Sequence, residues 1–287
     1  MKYFTAGLMM VLLEISAGAL PLFPESSQIP EPKPSFHRRF TRDTVDGYIR
    51  KINDLYTEEV VKRGAVLMFH NFWNSDVNNS YAWQAVGTNP MEYHVKMEGG
   101  YSRHPAMTEE ALVYGICHEL GHHLGGAPLK TTQNRLELGI RVSVEGQADY
   151  FAGMICFKRV FANNTRDLTQ EESAKIPEAL KQACQQVYAP GNQFKLCLMN
   201  ILAGSISVEA STEGTSQPPP RLDLRDPSAV DQTIENEPSR QCRLDTVVAG
   251  ALCDKEEKLF FEDPSRGACS SLEGEHAGQR PHCWYKQ

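Results

Sequence analysis

The stretch that decides the fold runs from Glu110 to His123 and reads Glu-Ala-Leu-Val-Tyr-Gly-Ile-Cys-His-Glu-Leu-Gly-His-His. Near its end, His118, Glu119 and His122 form the pattern His-Glu-x-x-His. Residues four apart on an α-helix lie on one face, about 5.4 Å apart, so both histidines can direct a ring nitrogen at one metal ion. The spacing therefore predicts a metal site on a helix, and this pattern is typical of zinc.

The glutamate between the two histidines predicts chemistry as well as metal binding. Glu119 lies one residue round the helix from His118, where its carboxylate can reach a water on the ion rather than the ion itself. Zinc lowers the pKa of such a water to about 7, and a neighbouring carboxylate can accept its proton, which leaves a hydroxide able to attack a carbonyl. The motif therefore predicts amide hydrolysis with Glu119 as the catalytic base.

Two histidines are too few ligands for a catalytic zinc ion, which usually has three protein ligands and keeps a fourth position for water. A second segment with helical character, residues 141–160, carries Glu145 and Asp149 four residues apart. Glu145 is the candidate third ligand, and Asp149 is the candidate acceptor that orients a ligating histidine. The predicted cofactor is one Zn²⁺ ion, held by His118, His122 and Glu145.

The pattern His-Glu-x-x-His followed by Glu-x-x-Ala-Asp resembles the gluzincin metallopeptidases, and within them it is most similar to the family of HtpX and the CAAX prenyl endopeptidases. That family carries His-Pro-x4-Arg-Ile after the zinc helices. Here Glu237-Pro238-Ser-Arg-Gln-Cys-Arg243-Leu244 keeps the proline, the spacing and the arginine, and Glu237 replaces the histidine. The resemblance covers roughly residues 43–253. It implies an α+β fold, a mainly helical zincin-like metallopeptidase domain with a small antiparallel sheet.

The resemblance also suggests a catalytic role for Arg243. A fixed cation aimed at developing negative charge could stabilise the oxyanion of the tetrahedral intermediate. The alternative is a surface arginine or one that caps a helix.

A substrate-binding strand is a further expectation from the resemblance. In gluzincins an edge strand ahead of the zinc helix binds extended substrate by main-chain pairing. The segment assigned to it alternates apolar and polar residues and consists of Tyr93, His94, Val95, Lys96 and Met97. The alternative is an interior strand without substrate contact.

The composition is that of an ordinary globular chain, with 287 residues of which 41% are hydrophobic and 23% charged. The formal net charge of -7 and the lack of a basic run argue against nucleic acid as a partner. The expected partner is a polypeptide substrate. The runner-up function is a non-catalytic exported binding or chaperone-like module with a structural zinc ion, which would not need Glu119 between its histidines.

The N-terminal region predicts export. Residues 1–19 combine a lone Lys2, an apolar stretch and a small-residue site at Ala17-Gly18-Ala19, which is the pattern of a signal peptide. A short N-terminal membrane anchor is the alternative. HtpX and the prenyl endopeptidases are integral membrane proteins, whereas this chain looks like a soluble exported relative, secreted or periplasmic, without stable membrane insertion after signal removal.

The rest of the chain divides by composition. Residues 20–42 hold five prolines and read as a linker or short propeptide. Residues 43–253 form the predicted metallopeptidase domain, with a mobile loop near 209–241. Strands are expected at residues 65–73, 81–86 and 92–97, and a packing helix at 44–62. Residues 254–287 form a tail that depends on disulfides for order.

Eight cysteines, all after the signal, predict disulfides in an exported chain. The best-defined pair is Cys184–Cys197, because the two lie symmetrically about the turn at Pro190-Gly191. In an antiparallel helical hairpin they come level, within the Cα separation of about 4.4–6.8 Å that a disulfide needs. Cys242 and Cys253 would lie about 16 Å apart along one helix, too far to pair with each other.

Overall fold

The structure is a computed structural model that describes residues 41–131, 139–213 and 216–255, together with 20–21, 27–28, 263, 268–269 and 277–286. The expected signal peptide and most of the expected linker lie outside the described residues. Helices make up most of the described part, and a small mixed sheet accompanies them, so the predicted α+β class is confirmed.

The elements are numbered in chain order. The strands are β1 (Leu20–Pro21), β2 (Ser27–Gln28), β3 (Ala65–Phe72), β4 (Val77–Asn78), β5 (Ser80–Ala85) and β6 (Met91–Glu98). The helices are α1 (Arg42–Lys62), α2 (Gly99–Ser102), α3 (Glu109–Leu124), α4 (Glu145–Phe151), a π-helical turn (Ala152–Cys156), α5 (Phe157–Phe161), α6 (Gln170–Ala174), α7 (Glu178–Val187), α8 (Asn192–Thr212) and α9 (Arg240–Leu252).

The main sheet has the strand order β1-β5-β6-β3 and is mixed, rather than antiparallel as the sequence predicts. β5 and β6 form an antiparallel pair, whereas β3 runs parallel to β6 on its other side. The sequence predicts that these strands exist but not which edges meet, because pairing depends on contacts between distant segments.

The predicted substrate strand lies in the interior of this sheet, so its assignment as an edge strand is wrong. β6 is paired along its length with β5 on one side and β3 on the other. Its backbone groups are therefore taken by neighbouring strands and are not available to pair with a peptide. The correction applies to the whole predicted segment, namely Tyr93, His94, Val95, Lys96 and Met97.

Helix α3 lies at the centre of the fold. All of its residues from Ala111 to Leu124 are buried, and it packs against the strands β5 and β6 and against the helices α4 and α8. Thr108 caps its N-terminus by accepting a hydrogen bond from the Ala111 backbone at 3.1 Å. A Cβ at Gly121 would lie 2.8 Å from the Ala148 carbonyl oxygen, so this glycine allows α3 and α4 to approach closely.

The second predicted helix begins later than expected, at Glu145 instead of residue 141. The residues before it are held in extended pairing with the segment that follows α3. Lys130 donates its backbone N–H to Val142 at 2.8 Å, and Ser143 donates to the His122 carbonyl at 2.9 Å. These bonds place the start of α4 beside the end of α3.

Helices α7 and α8 form the expected hairpin, and the structure joins Cys184 to Cys197 with a Cα separation of 6.0 Å. Helix α8 is the one described helix that is long and apolar enough to cross a membrane, but most of its apolar window is buried in this protein against α3 and α9. All eight cysteines are paired. The other disulfides are Cys117–Cys156, Cys242–Cys283 and Cys253–Cys269.

The predicted loop near residues 209–241 is shorter than expected, because α8 continues to Thr212 and α9 begins at Arg240. Its described residues are irregular and carry hydrogen bonds to the rest of the fold. The Asp226 backbone donates to Asp245 at 2.7 Å, and the Ile234 backbone donates to Trp284 at 2.8 Å. The mobility of this loop stays a prediction.

The C-terminal residues 277–286 brace α4. Arg280 donates to Gln147 at 2.7 Å, and Tyr150 donates to the Gly278 carbonyl at 2.8 Å. Trp284 is fully buried, and its ring packs so closely on Gly146 that a Cβ there would lie 2.3 Å from it. This contact lies next to Glu145 in the chain.

We expect Trp284→Ala to lower the free energy of unfolding by about 3–5 kcal/mol, because it leaves a cavity beneath α4. Urea unfolding of the metal-free protein measures the loss, and Trp284→Phe should lose less. A change within about 0.5 kcal/mol, as for an ordinary surface substitution, would contradict the bracing role.

Candidate metal centre

Two helices bring three potential ligands together. His118 and His122 lie on α3, and Glu145 is the first residue of α4. Nε2 of each histidine is 3.4 Å from Oε2 of the glutamate. All three side chains are buried, and their ligand atoms form a group that could hold a metal ion.

The arrangement fits an ion on two independent grounds. First, the two Nε2 atoms and the glutamate Oε2 are buried without a hydrogen-bond partner among the described residues. Such orphaned groups each cost about 1–3 kcal/mol unless something binds them. Second, two ligands bonded at about 2.0–2.1 Å to a tetrahedral ion lie about 3.3 Å apart. The observed separation of 3.4 Å is close to this value.

The hydrogen bonds on the far side of each ring determine the tautomers. Nδ1 of His118 lies 2.6 Å from Oδ1 of Asp149, and Nδ1 of His122 lies 3.0 Å from the Ser143 carbonyl oxygen. A carbonyl or an ionised carboxylate can only accept, so each Nδ1 must carry the proton. An ion bound at this group would take the lone pair of each Nε2. Without an ion, the Asp149 carboxylate outweighs burial and raises the pKa of His118 to about 9.

Asp149 is held as an anion behind His118. Burial alone would raise its pKa, but the charges of Arg243 and His118 outweigh burial and hold the pKa of the Asp149 carboxyl below its usual range. Arg243 donates from Nε to Oδ2 at 2.8 Å and from Nη2 to Oδ1 at 2.9 Å. The side chain that orients the histidine is thus itself held by a two-pronged ion pair.

Arg243 lies on the far side of Asp149 from His118. Its guanidinium also donates from Nη1 to Oε1 of Glu237 at 2.8 Å, and its side chain is only 2% exposed. The guanidinium therefore contacts two carboxylates, so Arg243 is not the surface arginine of the alternative reading. It holds Asp149 in place, and its part in stabilising an oxyanion stays a prediction.

We expect Asp149→Asn to destabilise the metal-free protein by about 3–5 kcal/mol, because it removes the carboxylate charge that is paired with the buried Arg243 guanidinium. Metal affinity should also fall about 10–100-fold, as for other residues that orient a ligand. Urea unfolding and metal titration measure the two effects. Glu237→Gln is the matched control on the outer side of Arg243, and an equal loss in both variants would contradict the central position of Asp149.

Glu119 is the acidic residue of the His-Glu-x-x-His motif, and its carboxylate stays outside the hydrogen bonds that hold the ligand side chains. It is fully buried, and neither carboxylate oxygen has a hydrogen-bond partner among the described residues. Burial raises the pKa of the Glu119 carboxyl to about 8, although the nearby charge of His118 opposes the shift. A cation bound nearby would lower this pKa again and favour the ionised carboxylate, which is the form that can accept a proton.

Sequence reasoning missed Lys130, which lies eight residues after His122 and outside any motif. Its ammonium contacts Oε1 of Glu145 at 2.9 Å. Burial would raise the pKa of Glu145, but His122, His118 and Lys130 outweigh it and hold that pKa well below the usual range. The glutamate is thus kept as an anion. No local pattern signals Lys130, because a turn and the 129–143 bridge bring it to the site.

His123 does not join the ligand group. It is fully buried, stacks on Tyr93 with ring centroids 4.8 Å apart, and donates from Nε2 to the His94 carbonyl at 2.9 Å. Burial lowers the pKa of His123 to about 3, so the ring is neutral. This histidine attaches α3 to β6.

Comparisons of the chain with models of protein families, with curated proteins and with solved structures found no match. The class of protein is therefore defined by its fold and site alone. It is a disulfide-bonded α+β protein whose central helix carries, with the helix beside it, a buried His-His-Glu group that could hold a metal ion.

Proposed function

We propose that this protein is an exported zinc-dependent endopeptidase of gluzincin type, which resembles the family of HtpX and the CAAX prenyl endopeptidases. The observation that carries the proposal is the placement of Glu119. Its carboxylate lies on the same helix as two ligands, fully buried, with both oxygens lacking a partner among the described residues. A site that only needed to bind metal would have no use for an unpartnered carboxylate at that place.

Zinc is the proposed ion because two neutral imidazoles and one carboxylate are a common ligand set of catalytic zinc sites. A bound zinc ion would lower the pKa of a water and polarise the peptide carbonyl. Three protein ligands, rather than the four of a typical structural site, are consistent with a position left for water.

Residues of the chain would carry out the proton transfers and orient the ligands. Glu119 accepts the proton of the attacking water and then returns it to the leaving amine, so it acts first as base and then as acid. Asp149 and the Ser143 carbonyl hold the two imidazoles in the tautomer that presents Nε2. Arg243 holds Asp149 in turn. The proposed reaction is hydrolysis of an internal peptide bond.

Export is proposed with the activity. Four disulfides are typical of proteins that fold in an oxidising compartment. The signal-like residues 1–19 are consistent with a secreted or periplasmic location, and a polypeptide is the proposed substrate.

The test uses the mature protein, residues 20–287. We expect one zinc ion per chain by metal analysis, cleavage of an unfolded polypeptide, loss of cleavage with a chelator and recovery with added zinc. Protein that contains no metal would contradict the metal centre. Bound zinc without cleavage of any unfolded polypeptide would instead favour the exported binding or chaperone-like module with a structural ion.

A further inference from the structure

Lys130 is a buried cation at the metal group that the proposed reaction does not yet use. It follows the turn after α3, and its backbone N–H is bonded to Val142 at 2.8 Å. Its side chain is 11% exposed, and its Nζ lies 2.9 Å from Oε1 of Glu145. Both the backbone and the side chain of this lysine are therefore fixed at the start of α4.

The two oxygens of Glu145 have different surroundings. Oε1 accepts the hydrogen bond from Lys130, whereas Oε2 lies 3.4 Å from Nε2 of both His118 and His122 and lacks a partner among the described residues. A carboxylate with two free oxygens can bind a cation through one or both of them. Here one oxygen is already engaged by an ammonium.

We propose that Lys130 is a positioning residue that restricts Glu145 to one-oxygen ligation, so that the metal ion keeps a position for water. The inference rests on the proposed function, and the bond from Lys130 to Glu145 is the contact that would leave a coordination position for water. A charge-assisted bond to a buried ammonium is strong enough to hold one oxygen while the other binds the ion. Without this bond, the freed oxygen of Glu145 would lie beside the ligand atoms and could take the position that a bound ion would need for water.

The choice of lysine over arginine supports this role. An ammonium is a compact point charge that can bind one carboxylate oxygen, whereas the planar guanidinium fork tends to take both. At Asp149, where the carboxylate is not a ligand, the structure uses an arginine with two bonds. At Glu145, where one oxygen must stay free for the ion, it uses a lysine.

The test replaces Lys130 in the mature protein and reads coordination directly. We expect Lys130→Met to bind one cobalt(II) ion per chain, but with the weak visible absorption of a five- or six-coordinate ion instead of the strong bands of four-coordinate wild type. Hydrolysis by the zinc form should fall about 10–100-fold. Lys158→Met is the matched control, because Lys158 is also a part-buried lysine but is bonded to Tyr188 and Cys253, outside the metal group.

The outcomes separate this inference from the proposed function. A Lys130→Met protein with the wild-type cobalt spectrum would overturn the positioning role. If that variant does not fold, Lys130→Arg decides, because its fork should compete for Oε2 and weaken metal binding about 10–100-fold. A Lys130→Arg variant that binds the metal as tightly as wild type would overturn the inference. Wild-type protein that binds no metal or cleaves nothing would contradict the proposed function itself.

Discussion

Glu119→Gln is expected to lower hydrolysis by at least about 10²–10⁴-fold while the protein still binds one metal ion. The amide has nearly the shape of the carboxylate but cannot accept the proton of the attacking water. The three ligand side chains are unchanged, so the metal group remains complete. Metal analysis together with a cleavage assay on an unfolded polypeptide measures both parts of the prediction.

Glu110→Gln is the matched control for this substitution, because Glu110 lies on the same helix and pairs with Arg166 instead of facing the metal group. It should keep full activity. Turnover by Glu119→Gln at the rate of this control would show that another residue acts as the base. Loss of metal from Glu119→Gln would show that the carboxylate has a role in binding.

His118→Ala is expected to abolish tight metal binding, because it removes one of three ligands and the acceptor side chain Asp149 then has no histidine to orient. The readout can be independent of activity. Zinc at 100 times its dissociation constant should stabilise wild type by about 2.7 kcal/mol, and it should leave the variant unchanged. Thermal unfolding with and without zinc measures the difference.

His123→Ala is the control, since His123 lies next to the ligand His122 but bonds to the backbone of β6. This variant should lose stability yet keep its response to zinc. The assignment of ligands fails if zinc stabilises His118→Ala as much as wild type. Activity in that variant would contradict the proposed metal centre even more directly.

The group of His118, His122 and Glu145 depends both on local helix geometry and on contacts between distant segments. His118 and His122 are one helical turn apart, so their convergence depends only on α3 being a helix. Glu145 reaches them because Gly121 lets α3 and α4 approach and because residues 129 and 143 are bridged. The C-terminal residues add a further restraint, because the Trp284 ring packs on Gly146, the residue after Glu145. Loss of the Trp284 side chain should therefore loosen the start of α4, which carries Glu145.

The sequence by itself determined the features that depend on residue spacing within one helix or one hairpin. The period of 3.6 residues places two histidines on one face of a helix and Glu145 and Asp149 on one face of another. The symmetry of a short hairpin makes Cys184 and Cys197 come level, and the structure joins them. These inferences need no knowledge of how distant segments pack, because each depends on residues within one or two turns or one connection.

Tertiary structure alone decided which strand edges are paired and what each buried charge contacts. β6 is interior because β3 adds to it in parallel across a long connection, and alternation of side chains within a strand carries no information on that pairing. Arg243 faces Asp149, and Lys130 faces Glu145, because separate segments bring each pair together. A buried charged side chain must have a partner of opposite charge, but only the packing of the whole chain determines which carboxylate is that partner.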